Sequence, residues 1–133
     1  MTITYEDART AARHCSQDYD IVAVDLFRGD GIPEHLVTRE FFGDLQNCLK
    51  PGGVLVMNSF LSLDDPRAEN ALLKTIASVF GEVLYARRHP EQTEGFTVAY
   101  LLARKGEPVG PFPLTVDDMP QVLGDQLLEA LQA

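Results

Sequence analysis

The stretch Ile21-Val22-Ala23-Val24 runs without a polar break and closes on Asp25. A strand with one face in water alternates apolar and polar side chains, whereas a strand covered on both faces reads as a continuous β-branched run. The stretch therefore predicts a central parallel strand inside an α/β architecture. A second run, Val54-Leu55-Val56-Met57, repeats the pattern and turns polar at Asn58-Ser59.

The segments around these two runs supply the other layer. Thr2-Ile3-Thr4-Tyr5 alternates weakly and predicts a first strand, and "EDARTAARHCSQDYD" a short helix after an acidic turn. Thr38 is placed to cap a helix whose apolar stripe is Phe41, Phe42, Leu45, Cys48 and Leu49, with Pro51-Gly52-Gly53 as its stop. Asp65-Pro66 opens another helix, with Leu72, Leu73, Ile76, Val79 and Phe80 as the buried stripe and Gly81 as its end. "EVLYARR" and "FTVAYLLARK" read as an antiparallel pair at the sheet edge. Residues 1–105 are expected to form one α/β domain with a mostly parallel sheet. Residues 106–133 add a Pro/Gly-rich connector and an amphipathic helix, carrying Leu123, Leu127, Leu128 and Leu131, packed on that domain.

Composition narrows the partners. The chain has 133 residues, 45% of them hydrophobic, enough for one domain. A net charge of -9 and a pI near 4.6 argue against nucleic acid or an anionic membrane and favour a neutral or cationic partner. Cys15 and Cys48 are the two cysteines, and neither a signal peptide nor a long apolar run is visible, so a soluble cytoplasmic protein with free thiols is expected. His14, His35 and His89 lie far apart with no metal-ligand spacing, so no metal is expected. Ligands of parallel sheets sit beyond the carboxyl ends of the strands, which gathers Asp7, Asp25 and Asn58 at one rim. Each has a plainer role available: Asp7 as a helix N-cap, Asp25 as a loop-amide acceptor, Asn58 as a turn residue.

"DYDIVAVD", a loop, and then "EFFGDLQNCLKPGGVLVMN" resemble the second half of the spermidine synthase family and the related class I methyltransferase fold, over Ile3 to Lys105. The resemblance implies a truncated Rossmann-like methyltransferase fold: a mostly parallel sheet, an antiparallel edge pair and a C-terminal helix. In that family an Asp-Gly or Asp-Ala step after the third strand contacts the adenine of the aminopropyl donor. "EDAR" is similar to that step. The resemblance thus assigns Asp7, Ala8, Asp25 and Leu26 to the cofactor side and Arg28 and Asn58 to the substrate side, with Asn58 standing where the family commonly has glutamine.

Two departures modify those implications. The family's catalytic loop resembles Asp-Ser-Ser-Asp-Pro, and ungapped alignment sets Arg28 where the amine-activating aspartate belongs. A guanidinium cannot take a proton from an amine of pKa about 10, and two cations about 4 Å apart repel by roughly 4 kcal/mol at an effective dielectric of 20. Asp25 and Asp30 are then the remaining catalytic candidates, Asp30 by swinging in from two positions on. Secondly, the sequence starts near the family's third strand, without the glycine turn and ribose-binding acid that precede it. No cofactor is expected to be required, and adenosylmethionine, decarboxylated adenosylmethionine or methylthioadenosine is expected to bind weakly. Ile21–Val24 also needs cover. Either Thr2–Tyr5 moves in beside it, giving family strand order 3-4-5-7-6, or a second chain supplies it, as a homodimer or a complementary protein. Two functions stay open: a catalytically incompetent domain acting through association, and a working transferase whose site another chain completes.

Overall fold

The computed structural model describes residues 2–26 and 36–106. Three helices and four strands follow in the order α1 (Ala8–Arg13), β1 (Tyr19–Asp25), α2 (Arg39–Cys48), β2 (Leu49–Ser62), α3 (Arg67–Phe80), β3 (Leu84–Arg87) and β4 (Phe96–Arg104). The sheet order is β1-β2-β4-β3. β1 runs parallel to β2, from Ile21 opposite Val54 to Asp25 opposite Asn58. β4 pairs antiparallel with β2 and with β3, so the expected antiparallel pair at the edge is present.

The helices form where the side-chain spacing and caps direct them. Thr38 Oγ1 accepts the Phe41 N–H at 3.2 Å and starts α2, which buries Phe41, Phe42, Leu45 and Cys48. α3 buries Leu72, Ile76 and Phe80 and ends at Gly81, whose φ of 88° is the left-handed conformation that glycine adopts freely. Gln46 Nε2 donates to Val79 O at 3.2 Å and ties α2 to α3. The strand residues in the core with these helices are Leu49, at the start of β2, and Val24, Leu55, Met57, Leu101 and Ala103, these five all on one face of the sheet. Val54 and Leu102, on the other face, are buried but stand outside that core. The described helices therefore cover one face of the sheet.

Four expectations change. Thr2–Tyr5 lies outside the sheet, with Ile3 63% and Tyr5 97% exposed, so β1 is an edge strand among the described residues. Two apolar side chains bury too little area to offset an ordering cost of about 1–2 kcal/mol per residue. With that segment unpaired, the described sheet has one parallel ladder, β1 on β2. The thiols are not free: Cys15, just past α1, and Cys48, at the end of α2, form a disulfide with Cα atoms 4.7 Å apart. α2 stops at Cys48, before Pro51-Gly52-Gly53, because Leu49 is already extended and enters β2. The glycines shape the start of that strand instead. Gly52 has φ of 80°, and a Cβ on Gly53 would sit 2.9 Å from Lys50 O. Among the described residues no helix is long and apolar enough to cross a membrane. The C-terminal helix expected beyond residue 106 lies outside the described residues.

Two glycines should respond in opposite directions to the same substitution. A Cβ on Gly43, inside α2, meets nothing within 4 Å, so Gly43→Ala should stabilise by roughly 0.5–1 kcal/mol. Gly53→Ala should destabilise by about 1–3 kcal/mol through its backbone clash; urea unfolding of both variants checks the pair. Opening the disulfide, which closes a sequence separation of 33, should cost about 3–4 kcal/mol on chain-entropy grounds. A melting temperature unmoved by dithiothreitol or by Cys15→Ser would contradict this.

Candidate functional site

The carboxyl ends of β1 and β2 meet at the sheet rim because the two strands run parallel in register. Asp25 and Asn58 are cross-strand partners, and Asn58 Nδ2 donates to Asp25 Oδ1 at 3.4 Å. Tyr100 lies opposite Asn58 on β4, so a carboxylate, a carboxamide and a phenol stand in one row across three strands. Asn58 Oδ1 is buried and accepts no hydrogen bond among the described residues. Asp25 is exposed and can accept a hydrogen bond from an arriving hydroxyl or amine.

Beside this row, α1, β1 and α2 bound an apolar groove of about 510 Å³. Ala8 and Ala11 form one wall, Phe41 and Leu45 another, and β1 lines it at Tyr19 and from Ile21 to Asp25, with Leu26 just past the strand. The turn entering β1 is held to α2 by Gln17 N–H to Asn47 O at 2.7 Å and Asp18 N–H to Cys48 O at 3.1 Å. Those bonds and the disulfide fix the groove walls against each other.

The structure brings Ala8, Asp25 and Leu26 together in the groove, and Asn58 joins them through Asp25. Asp7 is taken up locally: its side chain accepts the backbone N–H of Arg9 at 3.0 Å and of Thr10 at 3.4 Å as the N-cap of α1. Arg28 and Asp30 lie outside the described residues. No three His, Cys, Asp or Glu side chains among the described residues are grouped to hold a metal ion. Sequence reasoning missed the disulfide, although both cysteines sit at the ends of helices flanking β1. It also missed the aromatic pair Phe60–Phe96, stacked with ring centres 5.1 Å apart and largely exposed on the Asn58 face of β2 and β4.

Asp7 can be tested as cap and as ligand separately. Asn caps a helix as well as Asp does, so Asp7→Asn should leave stability within about 0.5 kcal/mol while Asp7→Ala loses about 1 kcal/mol. Equal losses in thermal unfolding for the two variants would show that the charge, and not the cap, is what matters.

Comparison with known proteins gives one family. The spermine/spermidine synthase domain matches residues 1–99. A polyamine aminopropyltransferase of Vibrio vulnificus is 38% identical over 86 residues, 65% of this chain and 27% of that protein. A probable polyamine aminopropyl transferase of Bifidobacterium longum is 38% identical over 82 residues, 61% of this chain and 18% of that protein. The chain thus spans about a quarter or less of these relatives' length. Among solved structures, a probable spermidine synthase from Corynebacterium glutamicum superposes with a TM-score of 0.69 at 26% identity, covering 78% of this chain and 38% of that one. The fold is also that of a spermidine synthase solved with the transition state analogue AdoDATO, at a TM-score of 0.58 and 18% identity, over 96% of this chain and 51% of that one. From the cross-strand aspartate at the rim to the sheet that carries it, this chain belongs to the spermine/spermidine synthase domain family.

Proposed function

We propose that the chain is a spermidine synthase-like domain that does not transfer an aminopropyl group on its own and acts through association along the edge of β1. The observation that carries this reading is that, among the described residues, β1 is paired on one side only. Tyr19 and Ile21 are 51% and 54% exposed on a strand whose sequence is built for burial, directly beside the apolar groove. A chain laid along β1 pairs its free backbone groups and roofs the groove over Ala8 and Asp25.

The site chemistry supports the same reading. Arg28 stands where the family has its amine-activating carboxylate, and a guanidinium neither accepts the amine proton nor tolerates a cationic acceptor beside it. Among the described residues the groove lining includes no Lys, Arg or His. Those residues offer nothing to pair with the carboxylate of adenosylmethionine, whereas decarboxylated adenosylmethionine and methylthioadenosine carry none. Asp7, the adenine-side acid, already serves two backbone amides, so a nucleobase competes with the helix for it. The residues fit the adenine and thioether part of such a ligand by their apolar surface, and bind it weakly. Asp25, held by Asn58 and open to solvent, favours one second reading: a transferase site that an associating chain completes.

Calorimetric titration with methylthioadenosine and with adenosylmethionine tests the proposal. The isolated chain should bind both with dissociation constants well above about 10 μM, roughly -7 kcal/mol, and should form no spermidine from putrescine and decarboxylated adenosylmethionine. Tighter binding or measurable transfer by the chain alone would overturn it. Transfer that arises only on adding a second protein would favour the completed-site reading.

A further inference from the structure

We infer that the Cys15–Cys48 disulfide is a redox switch, which docks α1 on the domain when closed and frees it when open. The device lies within residues 7–48, so association along β1 neither requires nor excludes it. The disulfide joins the end of α1 to the end of α2, and the packing of α1 is small beside that bond. The helix is six residues long, with Ala12 as its buried side chain. Its ion pair to α2, Arg13 Nε to Asp44 Oδ2 at 3.8 Å, is open to solvent and contributes little. The Asp7 cap accepts the amides of Arg9 and Thr10, which are α1's own, so the cap shapes the helix without docking it.

Opening the bond frees α1 without loosening β1, because different chemistry holds the two. The turn into β1 is tied to the end of α2 by Gln17 N–H to Asn47 O at 2.7 Å and Asp18 N–H to Cys48 O at 3.1 Å, backbone bonds that no sulfur chemistry alters. Gln17 has φ of 36°, a left-handed backbone uncommon for a residue with a side chain. It stands between the part that the disulfide holds and the part that the backbone bonds hold, and is the hinge. As thiols, the two sulfurs become weak donors only, Cys15 towards Ala11 O at 3.6 Å and Cys48 towards Ala12 O at 3.4 Å. Those carbonyls already accept the His14 and Cys15 amides. A six-residue helix with that attachment does not stay docked.

Cys48 is 1% exposed and Cys15 half-buried, so an attacking thiolate reaches the bond at Cys15. The thiolate of a dithiol reductant bonds to Cys15 Sγ, the S–S bond breaks, and Cys48 Sγ leaves with the electron pair and takes up a proton. The second thiol of the reductant then displaces Cys15, which also ends as a thiol, and the dithiol, having given up two electrons, departs as its cyclic disulfide. A small disulfide such as oxidised glutathione reverses the exchange and is itself reduced to two thiols. Ala8, which lines the groove with Asp25, moves with α1, and so does the cap Asp7. The oxidation state of the pair therefore decides whether the groove has its α1 wall.

Hydrogen exchange of the full 133-residue chain, oxidised and then reduced with dithiothreitol, tests the switch. On reduction the amides of Ala11 to His14 should exchange at least about tenfold faster, while those of α2, α3 and the β2–β4 ladder keep their protection. Oxidised glutathione should restore slow exchange. The Cys15→Ser/Cys48→Ser double variant should exchange as the reduced chain does and respond to neither reagent; if it does not fold, reduction and reoxidation of wild type carry the same test. Equal protection of α1 in the oxidised and reduced chains would overturn the switch. So would protection lost across the whole sheet on reduction, which is global unfolding and not the release of one helix, and so would a failure of glutathione to restore it or a reagent response in the double variant. Tight methylthioadenosine binding by the isolated chain would instead overturn the association reading and leave the switch standing.

Discussion

The parallel ladder between β1 and β2 is the constraint on which the other features depend. Its register brings Asp25 beside Asn58 and so creates the rim. Because parallel strands need a crossover, the chain between them must climb over one face, and α2 is the part of that crossover that forms the core with Phe41, Phe42 and Leu45. The same ladder uses only one side of β1. The hydrogen-bonding groups of its other side, and the groove next to them, are the direct consequence.

Around that ladder, α1 is the weakly held element. It is six residues long and buries only Ala12, too short to be a stable helix by itself. Its position comes from outside the helix: the Asp7 cap at one end, the disulfide to Cys48 just beyond the other. The groove wall formed by Ala8 and Ala11 is thus set by covalent chemistry and a single carboxylate more than by packing. A residue that caps a helix and is expected to meet a nucleobase serves two demands with one pair of oxygens.

Much of this was legible in the residues. The unbroken run at Ile21–Val24, the Thr38 cap, the stripe from Leu72 to Phe80 and the Gly81 stop each reflect a local rule, and each element formed where the rule put it. The family resemblance on "DYDIVAVD" and the Asp25–Asn58 rim belong with them. What was not legible depends on neighbours. Alternation in Thr2–Tyr5 shows that a strand is permitted but not that a partner strand is within reach. An apolar run shows that a strand suits burial, and β1 with its exposed Ile21 shows that suitability and cover are different facts. Cys15 and Cys48 are 33 residues apart in sequence, and only the packing of α1 on α2 makes them adjacent.

β2 outlasts β1. The parallel pairing ends at Asp25 opposite Asn58, while β2 and β4 stay paired as far as Ser62 and Phe96. A two-stranded ribbon therefore stands beyond the rim by roughly 13 Å at about 3.3 Å per residue, with the Phe60–Phe96 stack on the Asn58 face. The rim consequently has a wall on the β4 side. A molecule arriving at Asp25 meets this ribbon on the β4 side, a screen that comes from strand length alone.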